Sequence, residues 1–129
     1  MEKLLTRYWG YSEFRPMQRE IIESALSGRD TLAIMPTGGG KSICFQLPSL
    51  ARPGIAIVVT PLISLMKDQV QNLTNRGIKA LAIYSGMTYH EIDVALDNAV
   101  YGDYKFLYLS PERLRTDIFL KRVEKMEVN

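Results

Sequence analysis

Residues Thr37-Gly38-Gly39-Gly40-Lys41-Ser42 constrain this chain more than any other stretch. They lie between an apolar run, Thr31 to Met35, and a stretch that can be helical from Lys41. The order strand, Gly-rich turn, helix start is that of a phosphate-binding loop. Glycines let the backbone bend tightly and bring its N–H groups close to an anion. The helix start adds unpaired N–H donors and the positive end of a dipole. Lys41 can reach the β- and γ-phosphates and Ser42 can ligate Mg²⁺, so the loop points to nucleoside triphosphate chemistry. Met35 stands where the strict Gly-x-x-x-x-Gly-Lys-Ser pattern has glycine. The alternative is a plain connecting turn. Three successive glycines weigh against it, because each costs chain entropy and a simple turn rarely needs more than one.

At 129 residues the chain is one domain or part of one, with 47% apolar residues to build a core. The net charge of +2 is too small to argue for nucleic acid by itself. The single cysteine, Cys44, excludes an internal disulfide framework and reads as buried filler beside Ile43 and Phe45. With His90 as the sole histidine there is no His-based metal cluster. No apolar run reaches the length of a membrane span, and Met1-Glu2-Lys3 opens no signal-peptide core. The expectation is a cytoplasmic protein, nucleoid-associated if bacterial.

Apolar periodicity alternates helix and strand. A helix is expected from Met1 to Tyr8, and another from Pro16 to Ser27, with Gly28 as its stop. Thr31 to Met35 reads as the first strand. The phosphate-loop helix should end near Pro48. Ile55 to Thr60 is a β-branched apolar strand of the kind covered on both faces. Thr60 can cap a helix starting at Pro61, with Leu62, Leu65, Met66, Val70 and Leu73 at helical spacing and Leu62, Leu65 and Met66 in the core. Ala80 to Tyr84 is a third strand. Thr88-Tyr89-His90-Glu91 has the form of a capping box. Phe106 to Ser110 is a fourth strand, Ser110 caps a helical segment starting at Pro111, and a last helix covers Asp117 to Met126. Strands alternating with helices predict a parallel sheet covered on both faces. The loops after its strands share one edge, where ligands bind in open α/β sheets. The phosphate loop, Thr60 to Ser64, Ser85-Gly86 and Ser110 to Arg113 would then form one surface.

Four segments together resemble the RecQ family of superfamily 2 DNA helicases. They are Phe14-Arg15-Pro16-Met17-Gln18, Met35 to Ser42, Thr60 to Val70, and Ser110-Pro111-Glu112-Arg113-Leu114. Their order and spacing also match, over Tyr8 to about Phe119, and Met35 fits this family. The resemblance implies a three-layer αβα P-loop NTPase (RecA-like) fold with a mostly parallel sheet, incomplete at its C-terminal side. Residues 1–28 would form an adenine-recognition helical segment and 29–129 a partial RecA-like core. It implies ATP and Mg²⁺ as cofactors and single-stranded or duplex DNA as partner, with 3′-to-5′ unwinding in repair or recombination.

The resemblance also implies a role for each matching residue. Gln18 reads the adenine edge, since an amide offers a donor and an acceptor; the other reading is a solvated helix residue. Tyr11 stacks on the base, or is a packing aromatic, and Arg15 belongs to the same pocket. Thr37, Gly38, Gly39 and Gly40 supply backbone contacts to phosphate, Lys41 is the catalytic phosphate lysine, and Ser42 the Mg²⁺ ligand. Thr60, Ser64, Lys67, Ser85, Ser110 and Arg113 contact nucleic acid through sequence-independent, salt-sensitive interactions. For Ser64 and Lys67 a merely solvated role stands beside this one, and Arg113 could instead pair with a neighbouring acid.

A motor of this family needs an Asp-Glu-x-His element, and these residues contain no Asp-Glu dipeptide. The chain therefore reads as the N-terminal part of a longer helicase, catalytically inactive alone, with an unpaired sheet edge that favours self-association. Two other readings remain. One is a non-catalytic nucleotide- or DNA-binding module. The other is a different P-loop protein: an RNA helicase, which fits Ser110 to Leu114 less well, or a kinase, which leaves Phe14 to Gln18 unexplained.

Overall fold

The computed structural model describes residues 1–35 and 41–129. They fall into two compact units, Met1–Arg52 and Pro53–Asn129.

The first unit holds helices α1 (Glu2–Trp9), α2 (Gln18–Leu26) and α3 (Lys41–Ala51). Leu5, Ile22, Ile43 and Leu47 form its core, and Phe14 and Trp9 pack against them. Gly10 ends α1 at φ +77°, a left-handed value that glycine takes without steric cost, and its N–H donates to the Thr6 carbonyl at 3.0 Å. From the end of α3, the Arg52 guanidinium donates to the carbonyls of Ala25 and Leu26 at 2.9 and 2.7 Å. These acceptors close the C-terminus of α2, where a cation meets the negative end of the dipole.

Three expectations for this unit are corrected. Helix α2 starts at Gln18 and not at Pro16, because Met17 adopts φ +73°, which cannot continue a right-handed helix. Helix α3 continues through Pro48 to Ala51; buried packing of Gln46, Leu47 and Pro48 offsets the hydrogen bond that proline removes. Thr31 to Met35 is not a strand: no strand among the described residues pairs with it, and Leu32 and Ile34 are 87% and 89% exposed. The Thr31 hydroxyl instead bonds the Arg29 carbonyl at 3.1 Å and lies 2.9 Å from the Ser24 hydroxyl, a local arrangement that competes with extended pairing.

The second unit is a parallel sheet between helices. Its strands are β1 (Ala56–Val59), β2 (Ala80–Ile83) and β3 (Phe106–Leu109), in the order β1-β3-β2, parallel throughout. Its helices are α4 (Ile63–Asn75), α5 (Tyr89–Tyr101) and α6 (Asp117–Val123), with a 3₁₀ turn over Pro111–Arg115. Every residue of β3 is buried, as a central strand covered on both faces requires. Leu107 and Leu109 pack with Ile83, Ile92, Leu96, Ala99 and Phe119. Strand alternation sends Phe106 and Tyr108 to the opposite face, where Tyr108 reaches Gln69 of α4. This is the αβα layering expected of the fold. Beyond β1, Ile55 forms a parallel bridge with Val128.

The capping box is present as expected. The Thr88 hydroxyl accepts from Glu91 N–H at 3.1 Å, and the Glu91 carboxylate accepts from Thr88 N–H at 3.0 Å. Along the same helix, Arg122 of α6 meets Asp93 and Asp97 of α5 at 2.5 and 3.0 Å. Helix α4 departs from expectation in two ways. It begins at Ile63 after Leu62, and not at Pro61 after a Thr60 cap; the Thr60 hydroxyl accepts from Leu62 N–H at 3.3 Å, ahead of the first turn. With that start, Met66 and Leu73 face inward, while Leu62 and Leu65 are 59% and 39% exposed rather than core.

Thr88→Ala should cost about 1 kcal/mol, as loss of an N-cap does, measured by urea denaturation. Hydrogen bonds from the Thr88 backbone, then its side chain, hold the Glu91 carboxyl below the usual carboxylate range. That contribution is full above the ordinary glutamate value and is lost as pH falls through the lower folded value. The stability difference between the parent and Glu91→Gln should therefore shrink on acidification below about pH 4.3. A difference that stays constant down to pH 3 would contradict the box.

Candidate nucleotide and nucleic-acid sites

In the first unit the candidate nucleotide residues lie on the turn before α2 and at the start of α3. The turn is closed from both sides. Arg15 N–H donates to the Gln18 side-chain oxygen at 2.7 Å, and Gln18 N–H donates to the Arg15 carbonyl at 3.1 Å. Gln18 is 2% exposed, so it is not a solvated helix residue. Its side-chain amide carries both an acceptor oxygen and a donor nitrogen. Tyr11, 48% exposed, is not a packing aromatic; the Thr6 hydroxyl donates to its carbonyl at 2.9 Å. Arg15 is exposed.

Ser12, Glu13, Phe14, Arg15, Pro16 and Met17 line a cavity of about 480 Å³ together with Arg19 and Glu20 of α2. Arg19 crosses the Phe14 ring at 5.1 Å and pairs with Glu2, whose carboxyl this hydrogen bond holds below its usual range. The cavity is thus walled by an aromatic ring, a proline and a guanidinium.

Lys41 and Ser42 are the first two residues of α3, Lys41 exposed and Ser42 half-buried. No acidic residue lies in that first turn to oppose an anion at the helix N-terminus. An ammonium, a hydroxyl and a helix start suit a Mg²⁺-triphosphate. Thr37, Gly38, Gly39 and Gly40 lie outside the described residues. Burial pushes the Cys44 thiol up, and its sulfur sits 3.6 Å from that of Met35, so Cys44 is packing and not a nucleophile. Among the described residues no group of three or more metal-ligating side chains gathers.

In the second unit the parallel strands bring three segments to one edge: Thr60 to Ser64 after β1, Ser85-Gly86 after β2, and Ser110 to Arg113 after β3. Ser64, Lys67 and Ser85 are exposed, and Thr60 and Arg113 half-buried. Gly86 takes φ +101°, which turns the chain at the end of β2.

Lys67 is not simply solvated. Its ammonium lies 4.8 Å from the centre of the Tyr84 ring. The Arg113 guanidinium donates to the Tyr84 carbonyl at 3.5 Å. Ser110 departs from expectation: it makes no capping hydrogen bond, and its hydroxyl is buried without a hydrogen-bond partner among the described residues. The turn closes through backbone alone, Arg113 N–H donating to the Ser110 carbonyl at 3.1 Å. Glu112 is held below the usual carboxylate range, first by its own backbone N–H and then by the nearby Ser110 hydroxyl, which lies short of hydrogen-bond geometry.

Two residues were missed in the sequence. Gln69 lies within the Thr60 to Val70 segment, yet its contact emerges only in the fold: the buried Tyr108 hydroxyl donates to its side-chain oxygen at 2.6 Å. This bond fixes α4, and so Lys67, against the central strand. Tyr84 read only as the end of a strand. The available signal was an aromatic directly before an exposed Ser-Gly turn.

The second unit is a parallel αβα sheet with its motif loops on one edge, and the first carries a Lys-Ser helix start; both are features of the P-loop NTPase class of fold. The DEAD/DEAH box helicase model matches residues 15–128, and the chain belongs to that family. Its relatives are of the RecQ type that the motifs resemble. The probable ATP-dependent DNA helicase RecS of Bacillus subtilis is 43% identical over 100% of this chain and 26% of its own length. The ATP-dependent DNA helicase RecQ of Synechocystis is 45% identical over 91% of the chain and 24% of its own length. RecQ of Bacillus subtilis is 45% identical over 98% of the chain and 22% of its own. The chain thus spans about a quarter of the length of these relatives. No helix among the described residues is long and apolar enough to cross a membrane.

Tyr108→Phe should lower stability by about 1 kcal/mol, the usual worth of one hydrogen bond, in urea denaturation. Gln69→Ala combined with Tyr108→Phe should cost less than the sum of the two single changes. Strict additivity would mean that the bond does not hold α4.

Proposed function

We propose that these residues are the N-terminal ATP-binding part of a RecQ-type ATP-dependent DNA helicase that unwinds DNA in the 3′-to-5′ direction in repair or recombination. The observation that carries this reading is the common edge of the parallel sheet. It gathers the segments after β1, β2 and β3 that resemble nucleic-acid-contacting motifs. The names of the relatives support it.

In this reading Lys41 meets the β- and γ-phosphates, Ser42 holds Mg²⁺, and the helix start supplies backbone donors, aided by Thr37, Gly38, Gly39 and Gly40. Bound Mg²⁺ would neutralise phosphate charge. Gln18 reads the adenine edge through its amide, which carries a donor and an acceptor. Tyr11 and Arg15 border the base. Thr60, Ser64, Lys67, Ser85, Ser110 and Arg113 track the phosphates of a DNA strand, independent of sequence and sensitive to salt. The setting is cytoplasmic. Outer strands β1 and β2 offer a route to self-association, read as a mass that grows with concentration in light scattering.

Calorimetric titration with Mg²⁺-ATP and Mg²⁺-GTP tests the nucleotide reading. Binding should favour ATP. Lys41→Ala should abolish it and Gln18→Ala should remove the preference. With no Asp-Glu pair in these residues, phosphate release should stay at background. Equal binding of both nucleotides, or Lys41-dependent turnover, would contradict the proposal.

A further inference from the structure

Lys67 and Arg113 come from different elements, helix α4 and the 3₁₀ turn after β3, yet they converge on one residue. Lys67 caps the ring of Tyr84 at 4.8 Å, and Arg113 donates to its carbonyl at 3.5 Å. Both partners are neutral. A carboxylate in either place would fix the cation but cancel the charge that a phosphate needs. A ring face attracts an ammonium through its quadrupole and leaves the charge intact. A carbonyl occupies one of the five donors of a guanidinium and leaves the others. Among the described residues neither cation sits in an ion pair.

Tyr84 is itself well anchored. It follows β2 directly, its N–H faces the Met87 sulfur at 3.4 Å, and Met87 packs against the core beneath the sheet. Its ring is half-buried, while Ser85 and Gly86 beside it are exposed. Lysine has a flexible four-carbon stem, so an unanchored Lys67 would spend its time in many rotamers. An anchored ring beneath it selects among them before any strand arrives.

We propose that Tyr84 is a positioning residue of the single-strand contact surface: its ring and carbonyl hold Lys67 and Arg113 at a fixed separation, charged and ready for the phosphates of one nucleic-acid strand. This deepens the proposed nucleic-acid function and rests on it. The sequence-independent contact that results uses the π-face as a support for a cation rather than as a platform for a base.

The test is fluorescence anisotropy of labelled oligo(dT) with this chain across a range of salt concentrations. The variants are Tyr84→Phe, Tyr84→Leu, Lys67→Ala and Tyr84→Leu with Lys67→Ala. Tyr84→Phe keeps the ring and should bind as the parent does. Tyr84→Leu should weaken binding by about 3-fold, the scale of an exposed cation–π contact. It should also lower the salt slope toward that of Lys67→Ala, which loses about 0.7 for one single-strand phosphate. The double variant should bind no more weakly than Lys67→Ala. As a readout free of DNA, the Lys67 side-chain methylene signals in NMR should be shifted upfield by the ring in the parent and in Tyr84→Phe, and not in Tyr84→Leu. A salt slope unchanged by Tyr84→Leu but lowered by Lys67→Ala would overturn the positioning role, as would the absence of the upfield shift. If the parent does not bind oligo(dT), or Lys67→Ala changes neither affinity nor slope, the nucleic-acid reading fails first and the inference falls with it.

Discussion

Strand β3 is the constraint on which the second unit depends. Each of its four residues, Phe106 to Leu109, is buried, and each pairs in parallel with β1 on one side and β2 on the other. Parallel pairing fixes direction, so all three strands end at the same edge. Leu107 and Leu109 hold α5 and α6 through Ile92, Leu96 and Phe119. Tyr108, on the opposite face, holds α4 through its hydrogen bond to Gln69. A leucine truncated to alanine at such a site typically costs about 2–5 kcal/mol. The same four residues therefore set stability and the positions of the loops.

The edge has a simple electrostatic logic. Lys67 and Arg113 approach from separate elements and are held by a ring and a carbonyl, not by acids. Their charge stays available to a polyanion. Acids instead hold Arg122, which ties α6 to Asp93 and Asp97 of α5. Hydrogen bonding to Asp93 comes first in raising the Arg122 pKa, as expected of a structural clasp. In the first unit Arg19 is likewise committed to Glu2 and Glu23, while the start of α3 is free of first-turn carboxylates.

Legibility in the sequence tracks the range of the interaction involved. The capping box joins Thr88 and Glu91, three positions apart, and appears as expected. So do β2 and β3, whose signals are local. Thr31 to Met35 failed because a strand needs a neighbour, and no apolar run can specify one by itself. Helical spacing put Leu62, Leu65 and Met66 on the inward face of α4, but Leu62 precedes the helix and Leu65 lies at the margin of that face, so Met66 alone of the three is buried. Met17 broke the expected helix through a left-handed backbone that few residues other than glycine adopt, so side-chain pattern could not announce it. Gln18 is buried rather than solvated, and its bond to Arg15 N–H is a property of the turn that no local pattern states. Tyr84 and Gln69 gain their roles from partners 17 to 39 positions away, beyond any local pattern.

The central claim is that the C-terminal edge of the β1-β3-β2 sheet is the nucleic-acid surface. Amide chemical-shift mapping of this chain during titration with oligo(dT) tests it most directly. The account predicts perturbations concentrated in residues 60–67, 84–86 and 110–113. The opposite edge, with Gly54, Asp103 and Lys105, should stay silent. Perturbations centred on that opposite edge, or none at saturating oligo(dT), would contradict it.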